Sequence, residues 1–170
     1  MSVSTSNTPA SSKPWRRRCR RLLAMGCCCY LGVLLVLLAL ENSMLYHPVR
    51  ASEGWEKPPS EEIRDVTLHA ADGATIHAWW YAPKDWTPPR GAVLYCHGNA
   101  GNLSHRGRSM QAWQTTFGQA VLIFDYPGYG RSDGSPSEAG CYAAADAAYD
   151  WLANKQNVPP NRITLYGGSL

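Results

Sequence analysis

Residues 119–138 read QAVLIFDYPGYGRSDGSPSE, and the order of residue types in this stretch decides the architecture. Ala120 to Phe124 form a short unbroken apolar run, the pattern of a strand buried on both faces of a sheet. Asp125 to Gly134 follow with glycines, a proline and polar residues, the composition of a loop. Ser135-Pro136-Ser137-Glu138 is a capping box with proline at the first helical position, so a helix is expected to open there. Tyr142, Ala145, Ala148 and Leu152 then recur at helical spacing and are its expected core face. Strand, loop and helix in that order make one β-α unit.

The same pattern repeats on both sides. GAVLYCHG (91–98) and NRITLYGG (161–168) are two further buried strands. Between them GNLSHRGRSMQAWQTTFG (101–118) is helix-like, with Leu103, Met110, Trp113 and Phe117 as expected core contacts. Ahead of these, IRDVTLHAADGATIHAWWYAP (63–83) alternates apolar and polar residues around Ala71-Asp72-Gly73. That is a hairpin signal, with Val66 and Leu68 on one strand and Ile76, Ala78 and Trp80 on the other. Strands alternating with helices predict an α/β domain of parallel β-α units led by an antiparallel hairpin. The 170 residues suffice for one such domain with a core, and no internal repeat is present.

The N-terminal part has a different character. Residues 1–21 are Ser/Thr/Asn-rich and then basic, with Lys13, Arg16, Arg17, Arg18, Arg20 and Arg21, and predict a disordered tail. Residues 22–40, LLAMGCCCYLGVLLVLLAL, carry no charge. At about 1.5 Å per residue such a helix crosses a ~30 Å hydrocarbon layer. Ala39-Leu40-Glu41 is a poor cleavage site, and the apolar region follows Cys27 instead of preceding it. An uncleaved single-pass anchor therefore fits better than a signal peptide or a lipoprotein signal. The arginines before the span favour a cytoplasmic N-terminus, with the body expected on the opposite side of the membrane. Residues 41–61, rich in proline and charge, read as a linker to a domain over 62–170.

The formal charge of +3 comes from the tail alone, since from Glu41 onward there are ten Lys/Arg against thirteen Asp/Glu. A nucleic-acid partner, which needs a basic face on the folded domain, is excluded on that ground. Six cysteines form no framework: Cys19 and Cys27 to Cys29 belong with the span, as apolar filler or as S-acylation sites, and Cys96 and Cys141 are expected as buried thiols. No Cys or His spacing points to a metal.

Three loops are expected to meet at the carboxyl ends of the parallel strands, where ligands bind in such sheets. The first is HGNAGN (97–102), the second runs from Asp125 to Glu138, and the third is GGSL (167–170). Ser169 follows a strand through two glycines, as in a turn that lifts a serine hydroxyl into a cleft, and the next N–H, that of Leu170, would face a developing oxyanion. The His-Gly turn before Asn99 would bring the Asn99 N–H to the same place. His97 sits in the wrong element for a general base and is expected to brace its loop. Asn102-Leu103-Ser104 fits a glycosylation sequon, a pattern frequent by chance. Gly128, Gly130 and Gly134 are spaced one residue too far apart for a dinucleotide fingerprint, and no acidic residue ends the next strand. Asp125 is either a catalytic acid or, the reading favoured here, a tie to backbone N–H groups.

Together these segments resemble the α/β-hydrolase superfamily, most closely its membrane-anchored "alpha/beta hydrolase domain-containing" serine hydrolase branch. That branch has an anchor, a His-Gly-Asn oxyanion loop, a D-Y-x-G-Y-G-x-S-x-G-x-P-S-E segment and a Gly-x-Ser-Leu-Gly elbow. The counterparts here are Leu22 to Leu40, His97-Gly98-Asn99, Asp125 to Glu138 and Gly167 to Leu170, with Pro127 where the family often has arginine. The resemblance implies Ser169 as nucleophile, with the backbone N–H groups of Asn99 and Leu170 as the oxyanion hole. It implies hydrolysis of carboxylic esters or thioesters through an acyl-enzyme, without cofactor, on a small ester or a lipid-like substrate. The family's catalytic Asp and His follow the elbow, so the chain is expected to be the N-terminal half of the fold, ending at its nucleophile and inactive by itself. The alternative expectation is a non-catalytic membrane-tethered module.

Overall fold

The computed structural model describes residues 14–169 and divides into two compact units, Met1–Glu41 and Asn42–Leu170. The first consists of α1 (Pro14–Leu45), whose last turn belongs to the second. With no buried residue and a mean hydropathy of 2.5 over its most apolar window, α1 is long and apolar enough to cross a membrane, a property shared by anchors and signal sequences. The helix starts well ahead of the expected span. Proline suits its first position and arginine is a good helix former, so Arg16 to Arg21, expected in a disordered tail, continue the helix instead. The rest of that tail lies outside the described residues.

The second unit is built on a five-stranded sheet. β1 (His47–Pro48) and β5 (Ala100–Gly101) form a separate parallel pair, described below. The main sheet runs β2 (Arg64–His69), β3 (Thr75–Tyr81), β6 (Ala120–Phe124), β4 (Ala92–Cys96), β7 (Ile163–Gly167). β2 and β3 are the expected hairpin, with Leu68 opposite Ile76 and Val66 opposite Ala78. β3 meets β6 antiparallel, whereas β6, β4 and β7 are mutually parallel neighbours. Each connection within the parallel part crosses over a helix, as parallel pairing requires.

Strand alternation divides the core in two. Ile76, Ala78, Trp80, Leu94, Leu122 and Phe124 face α3 (Glu138–Asp150), while Trp79, Tyr81, Val93, Tyr95, Val121 and Ile123 face α2 (Gly107–Phe117). This is why β4 and β6 read as continuous apolar runs: both of their faces are covered.

The helices shift three expectations. α3 buries Cys141, Ala144 and Ala148, the turn that continues it (Trp151–Lys155) buries Leu152, and Tyr142 is left 63% exposed with its hydroxyl donating to Glu138 Oε1. Small side chains let the helix approach the sheet, and the bulky tyrosine is turned outward. The cap is also two residues later than expected: Ser137 accepts from the Gly140 N–H at 3.1 Å, and Pro136 lies against Gly128 instead of opening the helix. On the other face Leu103 and Met110 are buried as expected, but Phe117 is 62% exposed and Trp113 only partly covered.

The segment over 41–61, expected as a linker, is threaded into the domain. Tyr46 is buried in the core, and the backbone of residues 46–54 bonds to two of the three loops at the carboxyl edge. Its apolar residues are too few to show a periodicity, so composition alone resembled a tether.

Candidate active site

The carboxyl ends of β4, β6 and β7 bring the three loops together. Ser169 has φ +56°, a left-handed conformation that non-glycine residues adopt only when the surroundings impose it. A Cβ built on Gly98 would stand 3.0 Å from the Gly168 carbonyl oxygen and 3.1 Å from that of Ser169, so any larger residue there would push the two loops apart by a few tenths of an ångström. The Asn99 N–H donates to the Ser169 carbonyl oxygen at 3.1 Å. The first and third loops therefore touch, and in this state the Asn99 amide is engaged by the main chain of the serine turn. Leu170 lies outside the described residues.

Asn99 is held on its other sides too. Its carbonyl accepts from the His47 N–H at 2.9 Å and from the Tyr129 hydroxyl at 2.7 Å, and its side-chain Nδ2 donates to the Leu45 carbonyl at 2.7 Å. Two residues earlier, the His97 carbonyl accepts from the Tyr126 hydroxyl at 2.7 Å. Tyr126 and Tyr129, both from the DYPGYG stretch, thus clamp the His97 loop by its carbonyls. The sequence carried this signal in the paired tyrosines of that stretch, but the motif alone did not say what they bind.

His97 takes the bracing role. It is buried, its ring packs against Tyr126 and Tyr129, Nδ1 lies 2.8 Å from the Gly98 carbonyl, and Nε2 lies 3.4 Å from Asp125 Oδ1 without forming a hydrogen bond. Asp125 is completely buried, and its carboxylate ties down the end of the His97 loop: Oδ1 accepts from the Leu103 N–H at 2.7 Å. Its carbonyl accepts from the Ser132 hydroxyl at 3.0 Å, and its N–H donates to the His77 carbonyl at 2.9 Å. One buried residue thereby joins three segments, through its carboxylate, its carbonyl and its N–H.

The glycine pattern of the middle loop is explained by packing. Gly128 leaves room for Pro136, and Gly130, at φ +47°, leaves room for the Asp125 carboxylate. Asn102, in the sequon, is buried with both ends of its amide used: Nδ2 donates to the carbonyls of Val49 and Gly54, and Oδ1 accepts from Ser104. It is not accessible for glycosylation in the folded domain. Cys141 is buried and Cys96 half-buried, and burial raises both thiols above their ordinary range.

The tyrosine clamp has a pH signature. Burial pushes Tyr129 up to about 12 and raises Tyr126 well above the ordinary phenol range. In the unfolded chain both ionise near pH 10, approximately. The folded state holds their protons more tightly, so this contribution is complete below about pH 10 and is lost as pH rises through the folded values. In an alkaline titration followed by phenolate absorbance, two of the nine tyrosines are expected to ionise only as the fold is lost. Ionisation of all nine near the ordinary value, with the circular dichroism unchanged, would contradict the clamp.

Comparisons with known proteins agree with this architecture. Residues 91–170 match the family model described as alpha/beta hydrolase fold. The Mycobacterium tuberculosis protein named "Uncharacterized protein Rv2307c" is 35% identical over 156 residues, covering 91% of this chain and 55% of that one. The Arabidopsis thaliana "Alpha/beta hydrolase domain-containing protein WAV2" is 32% identical over 141 residues, covering 79% of this chain and 45% of that one. Among solved structures, the Pyrococcus furiosus esterase Pf2001 superposes with a TM-score of 0.58 at 22% identity, over 72% of this chain and 47% of that one. The thermophilic carboxylesterase EstE1, cloned from a metagenomic library, does so with 0.53 at 28% identity, over 67% and 39%. The chain spans about half the length of the curated relatives it matches.

Proposed function

Because the chain belongs to the α/β-hydrolase superfamily, we propose that it carries the nucleophile half of a membrane-anchored serine hydrolase acting on carboxylic esters or thioesters. The observation that supports this most is the meeting of the Asn99 amide with the serine turn, at 3.1 Å, over the carboxyl edge of a parallel sheet. Ser169 attacks the acyl carbon and forms an acyl-enzyme with loss of the alcohol or thiol. The Asn99 and Leu170 N–H groups stabilise the oxyanion. For this the Asn99 N–H must exchange the Ser169 carbonyl for the substrate oxygen. The esterase-like neighbours favour an ester substrate, and α1, read as an anchor with the domain on the non-cytoplasmic side, favours lipid-like ones.

A serine hydroxyl needs a base, and loss of a triad member costs orders of magnitude in rate. His97 is buried with Nδ1 on the Gly98 carbonyl and Nε2 turned toward Asp125, and His77 Nε2 lies 2.7 Å from Asp65 Oδ1. Among the described residues no histidine is hydrogen-bonded to Ser169. The 170-residue chain is therefore expected to show negligible turnover.

The test uses a fluorophosphonate probe and an activated ester, on the product expressed from the native gene and on the 170-residue chain. Labelling and turnover by the native product, both abolished in Ser169→Ala, are expected. Labelling that persists in Ser169→Ala would end the serine assignment. Ser169-dependent turnover by the 170 residues alone would show that they need no further base.

A further inference from the structure

We propose that the segment immediately following the apolar helix, Tyr46 to Gly54, is a strap that presets the His97–Asn102 loop and so acts as a positioning element for the Asn99 amide. The functional part of this inference rests on the reading of Asn99 as an oxyanion donor. The structural part does not.

The bonds from this segment fall on the site loops in an ordered series. The His47 N–H donates to the Asn99 carbonyl at 2.9 Å, and the Val49 N–H to the Gly101 carbonyl at 3.0 Å. Between them β1 and β5 run parallel, His47 beside Ala100 and Pro48 beside Gly101. Asn102 Nδ2 closes the far end by donating to the Val49 and Gly54 carbonyls at 3.0 and 2.7 Å. On its other side the segment takes hold of the second loop. The Gly130 N–H donates to the Val49 carbonyl at 3.0 Å and the Ala51 N–H to the Gly130 carbonyl at 2.9 Å. Arg50 donates from its two terminal nitrogens to the carbonyls of Ser132 at 3.1 Å and Gly134 at 2.9 Å. The strap thus lies between the loop that carries Asn99 and the loop that carries the tyrosine clamp, with bonds to both.

This arrangement matters for an oxyanion donor because such an N–H stabilises charge only if its direction is fixed before the charge appears. The Asn99 N–H lies in the Gly98–Asn99 peptide, whose carbonyl is 2.8 Å from His97 Nδ1. Three restraints hold the rest of the residue and so limit how that peptide can turn: the His47 N–H and Tyr129 hydroxyl on the Asn99 carbonyl of the next peptide, and the Leu45 carbonyl on the Asn99 side chain. Two of these three restraints come from residues 45–47, at the end of α1. The chain next to the apolar helix is therefore part of the site's scaffold as well as its tether.

The His47 bond can be removed without touching any loop residue. His47→Pro deletes the N–H at a position already followed by proline, whereas His47→Ala keeps it. Hydrogen exchange on the full chain in detergent is compared between the peptide covering Gly98 to Leu103 and the peptide covering β6. In His47→Pro the loop peptide is expected to exchange about three- to tenfold faster, the loss of one hydrogen bond, with β6 unchanged and His47→Ala matching the parent. An unchanged loop in His47→Pro, a loop equally loosened by His47→Ala, or an equal loss across β6 would each overturn the strap. Because no substrate is involved, a loop that loosens as expected while Ser169 of the native gene product takes no fluorophosphonate label would remove the hydrolase reading and leave the strap standing.

Discussion

Gly130→Ala is expected to lower the stability of the domain by about 2–4 kcal/mol, the sum of overpacking and left-handed strain. Gly130 has φ +47°, and a Cβ there would collide with Asp125 Oδ2 and stand 2.8 Å from Asp125 Cγ and 3.1 Å from the Trp55 ring. Neither neighbour can yield cheaply. The Asp125 carboxylate is fixed by the Leu103 N–H, and Trp55 packs edge-on against both Trp79 and His77. The measurement is thermal unfolding in detergent, followed by tryptophan fluorescence, with an expected drop of roughly 10 °C. A midpoint within a degree or two of the parent would mean that the middle loop is not seated on Asp125 as described.

Asp125→Ala is the second large effect expected, again about 2–4 kcal/mol, because it leaves the buried Leu103 N–H without an acceptor and opens a cavity under the His97 loop. Asp125→Asn keeps an oxygen for that N–H and is expected to cost less than half as much. The two sites are also coupled. With the carboxylate gone, the methyl group of Gly130→Ala loses its principal clash, so the double variant is expected to be more stable than the two single losses predict. Strict additivity in that cycle would show that Gly130 and Asp125 do not share the space assigned to them. Equal losses in Asp125→Asn and Asp125→Ala would place the contribution of Asp125 in its charge instead of its bond to Leu103.

Much of the fold was legible in local pattern. Continuous apolar runs gave β4 and β6, alternation around Asp72-Gly73 gave the hairpin, and the uncharged run after the arginines gave the apolar helix. The run over 163–167 gave β7 as a strand but not as a buried one, since it pairs only with β4 at the edge of the sheet and leaves Leu165 69% exposed. Helix faces were less legible. Ala, Cys and Tyr all recur along α3 at spacings that fit a core face, and only the closeness of the sheet selects Cys141, Ala144 and Ala148 over Tyr142. The candidate site divides in the same way. Ser169, Gly98 and Asn99 stood out because their turns follow strands, whereas Tyr126, Tyr129 and Arg50 act through hydroxyl and guanidinium bonds to backbone carbonyls remote in sequence.

By itself the sequence determined the order of strands and helices, the apolar span and the identity of the residues at the strand ends, since hydrophobic period and turn chemistry are properties of neighbouring residues. The threading of residues 46–54 between two loops was decided only by the tertiary structure, as was the turning of Asp125 toward Leu103. The physical reason is that a buried N–H or carboxylate takes whichever partner the packing brings within about 3 Å, and no local pattern records which partner that is.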